Sequence, residues 1–340
     1  MSYISYFDLL GTRGFCENSQ LYFQNITTFH EVLSQLSPLL RKGNVGLFSD
    51  CAYAQSSNLI ELITFLVQVR DRLMSCGLYF NAVVKEGDLG ISNVKGTEAR
   101  HTLGVVFTNS SIADLYITQS KFKGIGISVD EKIIEDIMLD GRIKINRCIF
   151  LDKVSDSNNM IVKPLMYYDV AFNFEHHLKE IEYFLKIFYR DFYSAYVKSP
   201  RFGKYYVSAI CNLLRSCNCN FEWDYTKKQF VKQPIIFKTV EKILESDELS
   251  DFDGREYLAL VMLDVVYCSF SEEEALKAYT KKIAGITCVK KKFLHSLTDI
   301  PKELFSENSK LGINNRELFI QYCQDDLSGE FVDALLGTIE

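Results

Sequence analysis

Two aspartates, Asp8 and Asp50, have the surroundings that most clearly point to chemistry. Asp8 lies in YISYFDLLGTRGF, Tyr3 to Phe15. There Tyr3, Ser5 and Phe7 alternate with Ile4 and Tyr6 as in a buried strand. An unpaired buried carboxylate is strongly disfavoured, so an acid at a strand end that opens onto a loop calls for a cation or hydrogen-bond donors. Leu9 to Gly14 follows with two glycines, and a short loop leading into a helix offers backbone N–H groups to phosphate oxygens. Asp50 lies in VGLFSDCAYAQ, Val45 to Gln55. Two apolar runs flank Ser49 and Asp50, which reads as a hairpin with the acid in its tight turn. Taken singly, each aspartate reads as a turn or cap residue. Together, on neighbouring strand ends, they form an oxygen-donor pair that suits two hard cations such as magnesium.

These stretches also carry a family resemblance. FDLLG, Phe7 to Gly11, is similar to the FxDIxGF signature of class III nucleotidyl cyclases, and FSDCAYAQ, Phe48 to Gln55, resembles their hairpin IGDxYMA. Further pieces follow in the same order. FNAVVKEGDLG, Phe80 to Gly90, resembles the RGAIxxG strand, GVVFTNSSIADLY, Gly104 to Tyr116, resembles the GxAxxxAxxLE helix start, and GIGISVD, Gly124 to Asp130, stands where the next strand falls. Within the superfamily the chain is most similar to the pyrimidine cyclases of bacterial Pycsar antiphage defence, which make cyclic UMP or cyclic CMP. The resemblance covers roughly the first half of the chain.

The resemblance implies conversion of UTP or CTP to a 3′,5′-cyclic monophosphate plus pyrophosphate, with two Mg2+ or Mn2+ ions per site. Asp8, Asp50 and the backbone of Leu9 would hold the ions. Backbone amides of Leu9, Leu10, Gly11 and Thr12 would cradle the β and γ oxygens. Lys85, Arg100, His101 and Asn109 complete the implied substrate contacts. It also implies a head-to-tail homodimer with composite active sites, and a separate effector protein that reads the product.

Departures from the pattern inform specificity and rate. Purine cyclases keep a base-reading lysine in the strand before the hairpin turn, whereas Val45 to Phe48 carries no charge, and His101 stands near their base-reading aspartate. Asn81 occupies the arginine position of RGAIxxG, and no arginine follows Asn109 at the family's spacing. Lys85, Arg100 or Lys123 would have to substitute. Loss of an oriented charge of this kind costs about 10²- to 10³-fold in rate. The alternative reading is a catalytically impaired, cyclase-like nucleotide-binding or regulatory protein. A polymerase-like palm of the diguanylate cyclase type would want a GGDEF-like turn, which FSD resembles poorly.

The elements that must position the acids can be read from periodicity. Phe23, Ile26, Phe29, Val32, Leu33 and Leu36 mark a helix within Cys16 to Arg41, and Leu59, Leu62, Ile63, Leu66, Val67 and Val69 mark another over Leu59 to Met74, ended by Gly77. Leu78 to Val84 reads as a strand, Glu86 to His101 as a loop or irregular hairpin arm, and Ser110 to Ser120 as a helix with Ile112, Leu115 and Tyr116 facing inward. Gly124 to Val129 and Ile143 to Leu151 supply strands around a short helix at Glu131 to Leu139. The expected fold is α+β: a cyclase-like domain over residues 1–163, an antiparallel sheet with helices, followed by a mainly α-helical domain over 164–340. That second half is expected to carry helices at Phe174 to Val197, Arg201 to Arg215, Ile235 to Leu244, Glu256 to Val266, Glu272 to Ile283 and Glu317 to Leu336.

With 340 residues, 47% of them hydrophobic, the chain can bury two cores. A net charge of −6 gives no general attraction to nucleic acid polymers or anionic membranes. Scattered cysteines, no signal peptide and no apolar run of about 20 residues read as a cytoplasmic, reduced, membrane-free protein. His176 and His177 point about 100° apart on a helix, so they do not form an i, i+4 ligand pair. Cys211, Cys217 and Cys219 lack a second paired cluster for zinc, and Lys290 to Lys292 reads as a solvated face.

Overall fold

The computed structural model describes residues 2–11, 18–93, 105–107, 110–121, 124–156, 159–173, 200–217, 221–227, 229–246, 255–269 and 272–286. They group into two compact units, Met1–Asn146 with Tyr167–Ala171, and Arg147–Met166 with Phe172–Glu340.

The first unit is built on β1 (Tyr3–Leu9), whose alternating apolar side chains allow burial on both faces. It is followed by α1 (Ser19–Leu36), β2 (Gly43–Phe48), β3 (Cys51–Ser56), α2 (Leu59–Ser75) and β4 (Phe80–Glu86). Next come β5 (Ile91–Asn93), β6 (Val105–Phe107), α3 (Ser111–Lys121), β7 (Gly126–Val129) and α4 (Ile134–Asp140); the long strands β8 (Ile145–Asp156) and β9 (Asn159–Val170) follow in the chain, and their stretch Arg147–Met166 falls to the second unit. One sheet has the order β2-β3-β1-β4-β7-β9-β8, and β5 and β6 pair separately. Pairing is antiparallel across β2/β3, β3/β1, β1/β4 and β7/β9, and parallel only between β4 and β7 among the registers resolved. The α+β architecture expected from the sequence is therefore present.

One face of the sheet, with Tyr3, Phe7 and Leu9, packs against Phe29, Val32 and Leu33 of α1 and Leu62, Phe65, Leu66, Val69 and Leu73 of α2. Phe7 makes edge contacts with Phe29 and Phe80 at centroid distances of 6.3 and 5.8 Å, so β1, α1 and β4 meet at one ring. The opposite face is smaller: Ile4, Tyr53 and Val83 gather with Leu89 and with Leu115 of α3. Asn18 caps α1 by accepting from the Gln20 and Leu21 amides, and Asn58 caps α2 by accepting from Glu61. Gly77, at φ 73°, ends α2 in the left-handed conformation that glycine takes without strain. Arg70, fully buried on α2, donates to the carbonyls of Val170 and Ala171 at 2.9 and 3.1 Å, which ties the helix to the end of β9.

Several boundaries differ from the periodicity reading, for local reasons. α1 stops at Leu36 because Pro38 in the next turn favours a 3-10 segment, Ser37–Leu39, over further helix. β4 starts at Phe80 and runs to Glu86 because its register is set by β1, Leu9 facing Phe80 and Tyr3 facing Glu86. Tyr116, expected to face inward, is 57% exposed; its ring meets that of Tyr6 in a T-shaped contact at 5.9 Å between centroids. β9 passes through Pro164, a residue that reads as a break but is tolerated where no ladder hydrogen bond is required of its nitrogen.

The second unit is mainly helical, with α5 (Pro200–Ser216), α6 (Ile235–Glu245), α7 (Arg255–Ser269) and α8 (Glu273–Ile286), plus the small hairpin β10 (Glu222–Asp224) and β11 (Gln229–Lys232), which periodicity did not reveal. Val207, Ile210, Cys211 and Leu214 of α5 and Leu258, Met262, Val265 and Val266 of α7 are buried. The expected helices at Phe174 to Val197 and Glu317 to Leu336, together with His176, His177, Cys219 and Lys290 to Lys292, lie outside the described residues. Cys211 is buried in α5 and Cys217 donates to the Leu214 carbonyl.

Candidate active site at the β1 end and the β2–β3 turn

Asp8 is the second-to-last residue of β1, flanked in register by Cys51 of β3 and Asn81 of β4. Asp50 stands in the two-residue turn between β2 and β3. The Leu9 N–H donates to the Asp50 carbonyl at 2.8 Å, so the turn is stitched to the end of β1 and the two acids sit on adjoining strand ends.

The turn is held from its other side as well. Ser49 has φ 44°, an unfavourable conformation for a residue other than glycine, asparagine or aspartate. His30 Nε2 donates to the Ser49 carbonyl at 2.7 Å, and the Ser49 hydroxyl lies 3.0 Å from that of Tyr22, so two side chains of α1 secure the strained residue beside Asp50. At Gly46 the Tyr53 ring fills the space of a side chain, since a Cβ would lie 1.9 Å from it. A side chain there would need that ring to shift.

Paired residues share a face of a sheet, which puts Tyr6, Asp8, Cys51, Tyr53, Asn81 and Lys85 on the same side. Asp8 Oδ1 accepts from the Gln119 side-chain amide of α3, and Gln119 is only 2% exposed. Tyr6 and Cys51 are hydrogen-bonded side chains. Burial pushes the Tyr6 phenol well above its usual range, helped by its bond to Cys51 and the charge of Asp8. Burial likewise raises the Cys51 thiol; the Tyr6 bond opposes the rise and the charges of Asp50 and Asp8 add to it. The acids therefore have a neutral phenol and a neutral thiol beside them at physiological pH.

Other polar groups on this sheet are engaged in structure. Asn81 is buried and donates to the Gly124 carbonyl at 2.7 Å. Lys85 is half-buried opposite Ile4, four residues along β4 from the partner of Asp8, or about 13 Å at strand rise. The buried carboxylate of Asp169 on β9 accepts from the Ile127 N–H at 2.6 Å.

Among the predicted phosphate donors, the Leu9 N–H is spent on Asp50 and the Leu10 N–H donates to the Tyr79 carbonyl at 2.8 Å. Sheet pairing thus extends past Asp8 and corrects the expectation that both amides face a ligand. Gly11, exposed and at φ 83°, is the first residue beyond the ladder. Thr12, Arg100, His101, Asn109 and Lys123 lie outside the described residues. Gln119 was missed by the sequence reading, although it falls four residues after Leu115 and seven after Ile112, on the stripe already assigned to the inner face of α3.

Among the described residues no cluster of three or more His, Cys, Asp or Glu side chains could hold a metal. The Asp8 and Asp50 carboxylates offer hard oxygen donors, a chemistry that fits Mg2+ or Mn2+ better than zinc. No described helix is long and apolar enough to cross a membrane.

No family model matches the chain, and no curated protein does. Solved structures similar to it include the adenylyl cyclase CyaB from P. aeruginosa, at 9% identity over 51% of this chain and 94% of that one, with a TM-score of 0.37. The guanylyl cyclase Cya2 is 16% identical over 50% of this chain and 91% of its own, with a TM-score of 0.34. A bacterial light-regulated adenylyl cyclase is 11% identical over 54% and 97%, with a TM-score of 0.36.

Proposed function

We propose that this chain is a nucleotidyl cyclase of the class III type, forming the 3′,5′-cyclic monophosphate of UTP or CTP in bacterial antiphage defence. The observation that carries the reading is the stitched pair of acids, Asp8 at the end of β1 and Asp50 in the adjoining turn, joined by the Leu9–Asp50 backbone bond, within the two motifs that resemble that superfamily.

Asp8 and Asp50 would hold two divalent cations, with the Leu9 carbonyl as a backbone ligand. Bound there, the cations would supply charge neutralisation at the triphosphate and a lowered pKa for the ribose 3′-hydroxyl. The chain's own contribution is placement: the β1–β3 pairing sets the spacing of the carboxylates, and His30 and Tyr22 keep the turn from moving. In phosphoryl transfer most of the protein's contribution is positioning and charge stabilisation. Gly11 and Thr12 would meet the β and γ oxygens, while Arg100, His101, Asn109 and Lys85 are proposed contacts of the nucleotide. The working unit is proposed to be a head-to-tail homodimer, with a separate effector protein reading the product in the cytoplasm.

Pyrimidine preference rests on β2, which presents no charged side chain from Gly43 to Phe48 where purine cyclases keep a lysine. A second reading, a nucleotide-binding protein without turnover, is favoured by Asn81, which is buried and bonded to Gly124 where the family has an arginine. Incubation with each of the four ribonucleoside triphosphates and manganese, with products identified by mass spectrometry, tests both. Cyclic UMP or cyclic CMP supports cyclisation; nucleotide binding without any cyclic product supports the second reading. Sedimentation at assay concentration tests the dimer, and full activity from a monomer would exclude it.

A further inference from the structure

We propose that Gln119 is a positioning residue for Asp8, holding its carboxylate in the orientation that receives a divalent cation; this rests on the cyclase reading above. Gln119 reaches Asp8 from a separate element, α3, with its Nε2 donating to Oδ1. The helix is seated on the sheet through Leu115, fully buried with Ile4 and Val83, and through the edge contact of Tyr116 with Tyr6. These anchors precede Gln119 by four and three residues, so its reach is set by packing on the same face and the adjacent one.

The chemical type of the donor matters. A carboxylate near the end of a sheet could be neutralised by lysine or arginine, and its capacity to bind a cation would then be consumed. A primary amide satisfies one oxygen and fixes the carboxylate plane without itself bringing any charge to cancel that of the acid. Ligating carboxylates are commonly oriented by hydrogen bonds of this kind, and loss of such a partner typically costs about 10- to 100-fold in metal affinity or activity. A purely architectural amide would contribute to stability and leave cation affinity untouched.

The test is Mn2+ titration of the purified full chain without nucleotide, followed by the electron paramagnetic resonance signal of the free ion, with thermal midpoints measured in parallel. Wild type, Asp8→Asn, Gln119→Leu and Gln119→Lys are compared. Gln119→Leu is expected to bind Mn2+ about 10- to 100-fold more weakly. Gln119→Lys, which keeps a donor and adds positive charge, is expected to be weaker still. In turnover assays the manganese needed for half-maximal rate rises in Gln119→Leu, while kcat at saturating manganese returns to within about twofold of wild type. Unchanged Mn2+ affinity with a lowered thermal midpoint would assign Gln119 to architecture and overturn the proposal. Tighter binding by Gln119→Leu would show that the amide competes with the cation and would overturn it equally. Should Gln119→Leu fail to fold, Gln119→Met carries the same comparison. If Asp8→Asn binds Mn2+ as wild type does, the metal site itself is wrong and the cyclase reading falls with this one; Asp8-dependent binding that ignores Gln119 sinks only the positioning role.

Discussion

Asp8 in the first unit and Asp264 in the second are both aspartates drawn out of water, and they are treated differently. Asp264 on α7 is fully buried and faces Arg215 of α5 at 2.8 Å, so its charge is met by a guanidinium. Asp8 is half-buried and receives the neutral amide of Gln119, with a phenol and a thiol next along its face. A guanidinium cancels the charge of the acid it meets, whereas the Gln119 amide brings no charge of its own to Asp8. On the proposed reading, Asp264 supports packing and the charge that Gln119 leaves on Asp8 would serve a cation.

The largest effect should come from removing that retained charge. Asp8→Asn and Asp50→Asn each keep side-chain volume and lose a charged ligand, so cyclisation should fall by about 10³-fold or more, corresponding to several kcal/mol of charge stabilisation. Thermal midpoints should remain near wild type. Product quantified by mass spectrometry decides the matter, and near-normal turnover in either variant ends the two-acid reading. The opposite pattern is expected at the second acid's partner: Arg215→Met leaves Asp264 buried without its counter-charge and should cost about 3–5 kcal/mol of stability, measured by urea denaturation. If Arg215→Met were as stable as wild type, the supposed difference between the two aspartates would disappear.

A smaller effect concerns the base. Uracil O4 needs a donor and cytosine N4 an acceptor, so exchanging them leaves one buried group mispaired at about 1–3 kcal/mol. One pyrimidine triphosphate should therefore be preferred by roughly tenfold in a competition assay containing all four substrates. Equal cyclisation of ATP or GTP would remove the pyrimidine assignment and leave the acid pair standing.

Much of this arrangement was legible because it depends on short-range pattern. Alternation over Tyr3 to Phe7, the Ser49–Asp50 turn between apolar runs, and the 3.6-residue stripes of α1 and α2 are local signals; the structure buries Phe7, Phe29, Val32, Leu33, Leu62, Leu66 and Val69 in one core, while Phe23, on the expected stripe of α1, is 71% exposed. Pairing partners were not legible. That the Leu9 and Leu10 amides are consumed by Asp50 and Tyr79 follows from which strands flank β1, a long-range fact that the loop's two glycines do not encode. Gln119 shows the same limit in a milder form, since its stripe was visible but the carboxylate it would meet lies on another element. Tyr116 failed for a different reason: an aromatic ring can bury its edge against Tyr6 and leave much of its face in solvent, which periodicity does not distinguish from full burial.

The smallest effect separates the two ends of β1 itself. Tyr3 begins the strand, and its phenol is raised above the ordinary 10.0 by burial first, then by the charges of Asp136 and Glu86 and a hydrogen bond with Asp136. A group whose folded pKa exceeds its unfolded one keeps its proton longer in the native state. Its stabilising share is therefore fully present below pH 10.0 and is lost as pH rises through the higher folded value. Tyr3→Phe removes that linkage, so the variant's stability should decline less steeply than wild type above pH 10.0, after an initial loss of about 1 kcal/mol from the missing hydrogen bond. Cyclase activity at neutral pH should be unchanged, because Tyr3 packs with the core on the face opposite Asp8. Urea denaturation at stepped alkaline pH reads the first expectation and product formation reads the second. A Tyr3→Phe enzyme that lost turnover while matching the wild-type alkaline slope would mean that the strand acts as one functional unit rather than as a structural end and a chemical end.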